Sequence, residues 1–174
     1  GGGSVLLQGT IGGATALSSL TVNNAAGAGT ITLANIGGAA PGVTGATAAG
    51  NAATATLTFT GTTYNANQQT YTAAAGQNIH VNGAAATTFS SSNDAIAFNT
   101  ANIKLANGSD LVVNSTGGAI SALNIDGSSS ENVTLNANGG AGPKTAAVGA
   151  IGTGAANGIH SAGLTGSGGV TLNG

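Results

Sequence analysis

His80 and His160 are the only imidazoles of the chain, and Asp94, Asp110, Asp126 and Glu131 are its only acidic side chains. A serine nucleophile would need one of these histidines held by an orienting acid beside an oxyanion hole. His80 stands between Ile79 and Val81, and strand alternation turns it outward, away from both. No acid nearby orients it. No carboxylate stands at ligand spacing from either histidine, so no histidine metal site is expected. The segment Asp126-Gly127-Ser128-Ser129-Ser130-Glu131 offers hard oxygens, which makes Asp126 and Glu131 a calcium candidate. It fits neither an EF-hand loop nor a calcium β-roll nonapeptide. The plainer reading is a turn closed by Asp and Ser side chains.

The remaining chemistries are soon exhausted. Lys144 in Gly142-Pro143-Lys144-Thr145 lacks the glycine directly before lysine that a phosphate loop requires, and no Gly-x-Gly-x-x-Gly occurs. Glycoside cleavage needs two acids facing across a groove, usually with aromatic and basic side chains for the sugar. Here Tyr64 and Tyr71 are the only tyrosines, and Lys plus Arg total 2. Lys104 lies between Ile103 and Leu105, so alternation sends it outward rather than into a crosslink with Asn or Asp. Thr54, Thr56, Thr58 and Thr60 form a row that could order water, but only Thr30 and Thr32 resemble it. Asn107-Gly108-Ser109, Asn114-Ser115-Thr116 and Asn132-Val133-Thr134 are glycosylation sequons. In a chain this rich in Asn, Ser and Thr they are expected by chance. The chain is read as no enzyme, with no catalytic residue and no cofactor.

The elements that must carry these residues are short strands. Thr54 to Thr60 alternates small or polar with apolar residues and puts Leu57 and Phe59 on one face. Thr30 to Leu33, Asn78 to Asn82, Ile103 to Leu105, Leu123 to Asp126 and Asn132 to Asn136 do the same. Leu57, Phe59, Ile79, Val81, Val133 and Leu135 are the expected core. Gly, Asn, Ser or Asp bounds each run. The Ala-rich stretches are broken by Gly, Thr or Asn and carry no helical stripe. Strand centres at Ile79, Phe89, Ile96, Ile103, Val112, Leu123, Val133, Ile151, Ile159 and Val170 recur mostly every seven to eleven residues. A sandwich, a barrel or a solenoid could show this spacing.

Composition separates them. Of 174 residues 32 are Gly, charged residues are 3%, aromatics are 3%, and Cys, Met and Trp are absent. Without Cys there is no disulfide scaffold or thiolate site. A formal net charge of −2 with two lysines makes no nucleic-acid footprint, and no apolar run is long enough for a membrane span. Sandwich strands usually carry charged outer faces and Lys-blunted edges. Here the outward residues are Thr, Asn, Ser and Ala, which stack on their own kind in parallel ladders. The expected fold is all-β: a right-handed parallel β-helix with little or no helix. Residues 1–174 are read as one solenoid module of roughly seven coils, at about 22–25 residues per coil. The irregular stretch 39–53 is expected to leave the solenoid as a loop.

Gly9-Thr10-Ile11-Gly12-Gly13-Ala14-Thr15-Ala16-Leu17-Ser18-Ser19-Leu20-Thr21-Val22 resembles a unit of filamentous-haemagglutinin-like and autotransporter-like β-helix repeats from giant bacterial surface proteins. Gln69-Thr70-Tyr71, followed by Ile79 and Val81, resembles another segment of those arrays. The resemblance is clearest over 4–35 and 63–83. It implies a right-handed β-helix, export to the cell surface, and roles in adhesion, matrix or filament formation. It carries over no catalytic residue.

The chain opens Gly1-Gly2-Gly3-Ser4 without Met or leader and is expected to be a mature fragment or an excerpt. Neither end reads as capped. The expected role is a structural module of an extracellular fibre whose partners are copies of itself. Val5 and Leu7 at one edge are expected to stack near Val170 and Leu172 of the next unit. The alternative is a carbohydrate-binding adhesin module on the same solenoid, recognisable by Tyr64, Tyr71 or His80 gathered with acids. A third reading, an enzyme acting on surface polysaccharide, would hold two acids within about 10 Å in a cleft.

Overall fold

The computed structural model describes residues 3–23, 28–106, 108–128, 130–153 and 158–173. Asn107 of one sequon, Ser129 of the 126–131 turn, and Gly1, Gly2 and Gly174 lie outside the described residues. Among those described there are seventeen strands, numbered in chain order, and no helix. Their pairing is parallel throughout, and they stack as a β-solenoid of about 7 turns with 49% strand.

The first face is a sheet in the order β1 (Val5–Leu7), β3 (Thr30–Leu33), β5 (Thr56–Phe59), β7 (Asn78–Val81), β10 (Asn102–Leu105) and β13 (Ile125–Asp126). Ile151 bridges to Ile125 beyond it. The second face runs from the start of β6 (Thr63–Thr72) through β8 (Thr87–Ser91), β11 (Leu111–Ser115) and β14 (Asn132–Ala137) to β16 (Ser161–Gly166). The third holds β2 (Leu20–Val22), β4 (Val43–Ala49), the end of β6, β9 (Ile96–Asn99), β12 (Ile120–Ser121), β15 (Ala146–Val148) and β17 (Val170–Leu172). Within β6, Thr63–Asn65 pairs with β8 and Gln69–Thr72 with β9, so this one strand turns the corner between two faces.

Alternation builds the interior. In β5 and β7 every second side chain is buried, and Leu57, Phe59, Ile79, Val81, Val133 and Leu135 all lie in the core. Successive coils put like on like. Val5, Ile31, Leu57, Ile79, Ile103 and Ile125 stand in one column, separated by 26, 26, 22, 24 and 22 residues. These spacings average 24 residues, within the expected coil length, and they vary because surplus residues enter at the corners while the strands hold register.

Three expectations are corrected. The stretch 39–53 does not leave the solenoid: Val43–Ala49 is β4, paired on both sides with β2 and β6. Its inward residues include Thr47 and Ala49, which give little apolar signal, and a register shift between Val43 and Ala46 breaks the alternation. Leu123 does not share the inside with Ile125. It lies at a corner between β12 and β13 and is 44% exposed. Ile159 lies outside the strands, packed against the core from one side.

Candidate functional site

All five aromatic side chains form one buried cluster. The Phe59 ring meets Tyr64 and Tyr71 edge-on with centroids 4.8 Å apart, and Phe89 at 4.9 Å. Tyr64 stacks on Phe89 at 4.7 Å, and Phe98 joins through Phe89 and Tyr71. The Tyr64 hydroxyl donates to the Leu33 carbonyl at 2.9 Å and accepts from the Gly61 N–H at 2.9 Å. The Tyr71 hydroxyl donates to Gln69 Oε1 at 3.0 Å, while buried Gln69 donates to the Ala66 and Ser90 carbonyls. Burial pushes both phenols above their ordinary value. The tyrosines singled out as possible sugar contacts are therefore core residues. The signal that hid this is the corner in β6: the inward set runs Tyr64 and Ala66, then Gln69 and Tyr71, slipping one residue out of phase.

Glu131 is fully buried at the corner between the first and second faces. Its carboxylate accepts from the Ser128 N–H at 2.6 Å and hydroxyl at 2.6 Å, the Ser130 N–H at 3.3 Å and hydroxyl at 2.8 Å, and the Gly108 N–H at 3.0 Å. Burial pushes this carboxyl up. The bonds from Ser128, Ser130 and Gly108 outweigh it and hold the group well below the usual carboxylate range. Gly127 is needed here, since a Cβ would crowd Glu131 Oε2 and the Gly158 carbonyl. Asp126 Oδ1 accepts from the Thr153 N–H at 3.1 Å and hydroxyl at 2.6 Å. Both members of the calcium candidate thus spend carboxylate oxygens on the chain's own N–H and O–H donors. The turn is closed by the chain's own carboxylate, bonded across to Gly108 of the preceding coil.

On the outer side of the first face, Thr32, Thr58, His80, Lys104 and Asp126 form one column. Partial burial, and then the neighbouring Lys104 ammonium, hold His80 below its ordinary value. Lys104 Nζ reaches the Gly127 carbonyl at 3.3 Å. The threonine row is split. Thr54 is buried, its hydroxyl accepting from the Asn51 N–H, whereas Thr56 and Thr58 stand outward in register with Thr30 and Thr32. Among the described residues there is no cleft or cavity, and no group of three or more His, Asp or Glu that could hold a metal.

The remaining candidate is the pair of solenoid ends. Val5, Leu7, Ile11 and Leu20 are only partly buried in the first coil, and Leu17 there is 40% exposed. At the other end Val170 is 42% and Leu172 62% exposed. Among the described residues β1 pairs only with β3, β2 only with β4, β16 only with β14 and β17 only with β15, so the outer edge of each of these strands has no ladder partner there. Val5 and Leu7 lie on the first face, but Val170 and Leu172 lie on the third. The two pairs expected to stack on one another thus stand on different faces of the solenoid and share no column. The chain matches no family model, no curated protein and no solved structure.

Proposed function

We propose that this chain is a structural module of an extracellular bacterial fibre, stacking through its open β-edges. The observation that carries the reading is the state of the two ends: apolar columns and strand edges left uncovered in a body whose coils otherwise cover one another. The resemblance to filamentous-haemagglutinin-like repeats supports placement at a bacterial surface, and a chain without Cys or Met offers little to oxidise there. A carbohydrate-binding adhesin module on the same solenoid is the lesser reading, because Tyr64 and Tyr71 are buried and stack on Phe59 and Phe89. Negative-stain images of the concentrated chain test the proposal. Unbranched filaments about one solenoid wide are the expected result, and globular particles at every concentration would overturn it.

A further inference from the structure

We infer that the two ends are the two halves of one interface, and that a second copy of this chain docks there in the register its own coils use. This rests on the fibre reading and specifies its junction. The register follows from the inward columns. One runs Val5, Ile31, Leu57, Ile79, Ile103, Ile125, Ile151. On the second face another runs Ile11, Ile36, Tyr64, Phe89, Val113, Leu135, Leu164. On the third face a column runs Leu20, Thr47, Gln69, Ile96, Ile120, Ala146, Val170. Beside it, Val22, Ala49, Tyr71 and Phe98 open a column whose far end is Val148 and Leu172.

All four columns begin and end on aliphatic residues. A copy placed one coil beyond the last sets its Leu20 on Val170, its Val22 on Leu172, its Ile11 on Leu164 and its Val5 on Ile151. Every face then continues its parallel ladder, and the exposed side chains at both ends are covered together. Each pair of neighbouring coils in the chain is joined by the same parallel register, so the junction repeats the ladder geometry the chain already uses. A head-to-head dimer would set strands antiparallel and mismatch the columns. The head end brings no charged side chain to the contact, because all six Lys, Asp and Glu residues lie between Asp94 and Lys144.

The native chain has no Cys, so engineered cysteines report cleanly. Neighbouring strands about 4.8 Å apart place paired Cα atoms within disulfide reach. The double variant Leu20→Cys/Val170→Cys, oxidised at high concentration, should give a ladder of disulfide-linked multimers on a non-reducing gel. Val5→Cys/Val170→Cys, which joins different faces, should give no ladder. Far-UV circular dichroism of each variant, matched to wild type, shows that the fold is retained. Crosslinking by Val5→Cys/Val170→Cys instead, or dimers from Val170→Cys alone, would overturn this register while leaving association standing. Filaments of wild type with no ladder from Leu20→Cys/Val170→Cys would likewise overturn the register and spare the fibre reading. Wild type that sediments as a monomer at every concentration would overturn both, and is the result expected if only a covalently continuous coil covers these ends.

Discussion

Phe59 is fully buried and touches Tyr64, Tyr71 and Phe89. Leu33 and Val81 stand in register with it in the coils on either side, and strands held at the ladder spacing cannot close on the gap left by a lost ring. Phe59→Ala should therefore cost about 3–5 kcal/mol, read as a shift in the urea midpoint. An unchanged midpoint would remove Phe59 from the core. Glu131 gives a prediction of a different kind. Its carboxyl is held below the usual range in the folded state, so its stabilisation is complete above the unfolded value of about 4.3 and is lost as pH falls below that. Glu131→Gln turns an amide N–H toward donors that need an acceptor and should destabilise the chain at about pH 7. The gap between variant and wild type should narrow at about pH 3, where the wild-type carboxyl loses its advantage. Denaturant titrations of both proteins at the two pH values check this, and a gap independent of pH would mean that the charge of Glu131 contributes nothing.

Strands and corners differ in how far they can be read from residue types. β5, β7 and β14 are legible because Leu57, Phe59, Ile79, Val81, Val133 and Leu135 repeat at period 2 against polar neighbours. β4 is not, since Thr47 and Ala49 serve inside as well as larger residues serve elsewhere. The burial of Tyr64 and Tyr71 was hidden for a second reason: a corner inside a continuous strand shifts the phase, and alternation read across it fails. The facing of the first and last strands was not legible, because which face a strand joins depends on the residues spent at every corner before it. Corners are also where single substitutions should act most sharply. Gly50 follows β4 directly with φ of 79°, and a Cβ there would collide with the Thr72 carbonyl oxygen of the next coil. Gly50→Ala should cost about 2 kcal/mol or more. A melting temperature equal to wild type would show that this corner relaxes freely.

At the scale of the molecule, charge is concentrated in the middle and later coils, and the first 93 residues contain no Lys, Arg, Asp or Glu. Association through the ends should then depend on backbone pairing and apolar burial, to which salt is nearly indifferent. Sedimentation profiles should be nearly the same in low salt and in about 1 M NaCl. Multimers that dissolve as salt rises would point to charged side chains at the contact. A solenoid is also quasi-one-dimensional, each coil touching only its neighbours, so the end coils open at lower free energy than those between them.

The gathering of every aromatic ring into the middle coils gives the protein an optical asymmetry. With no Trp and only two tyrosines, both enclosed beside Phe59 and Phe89, near-ultraviolet ellipticity and tyrosine emission are blind to the ends. Far-ultraviolet ellipticity reports all coils alike. On heating, the far-ultraviolet signal should begin to fall before the tyrosine signal moves, and the interval between the two transitions would measure how far the solenoid unravels from its tips before its centre melts. Coincident transitions would mean that the coils melt as one unit.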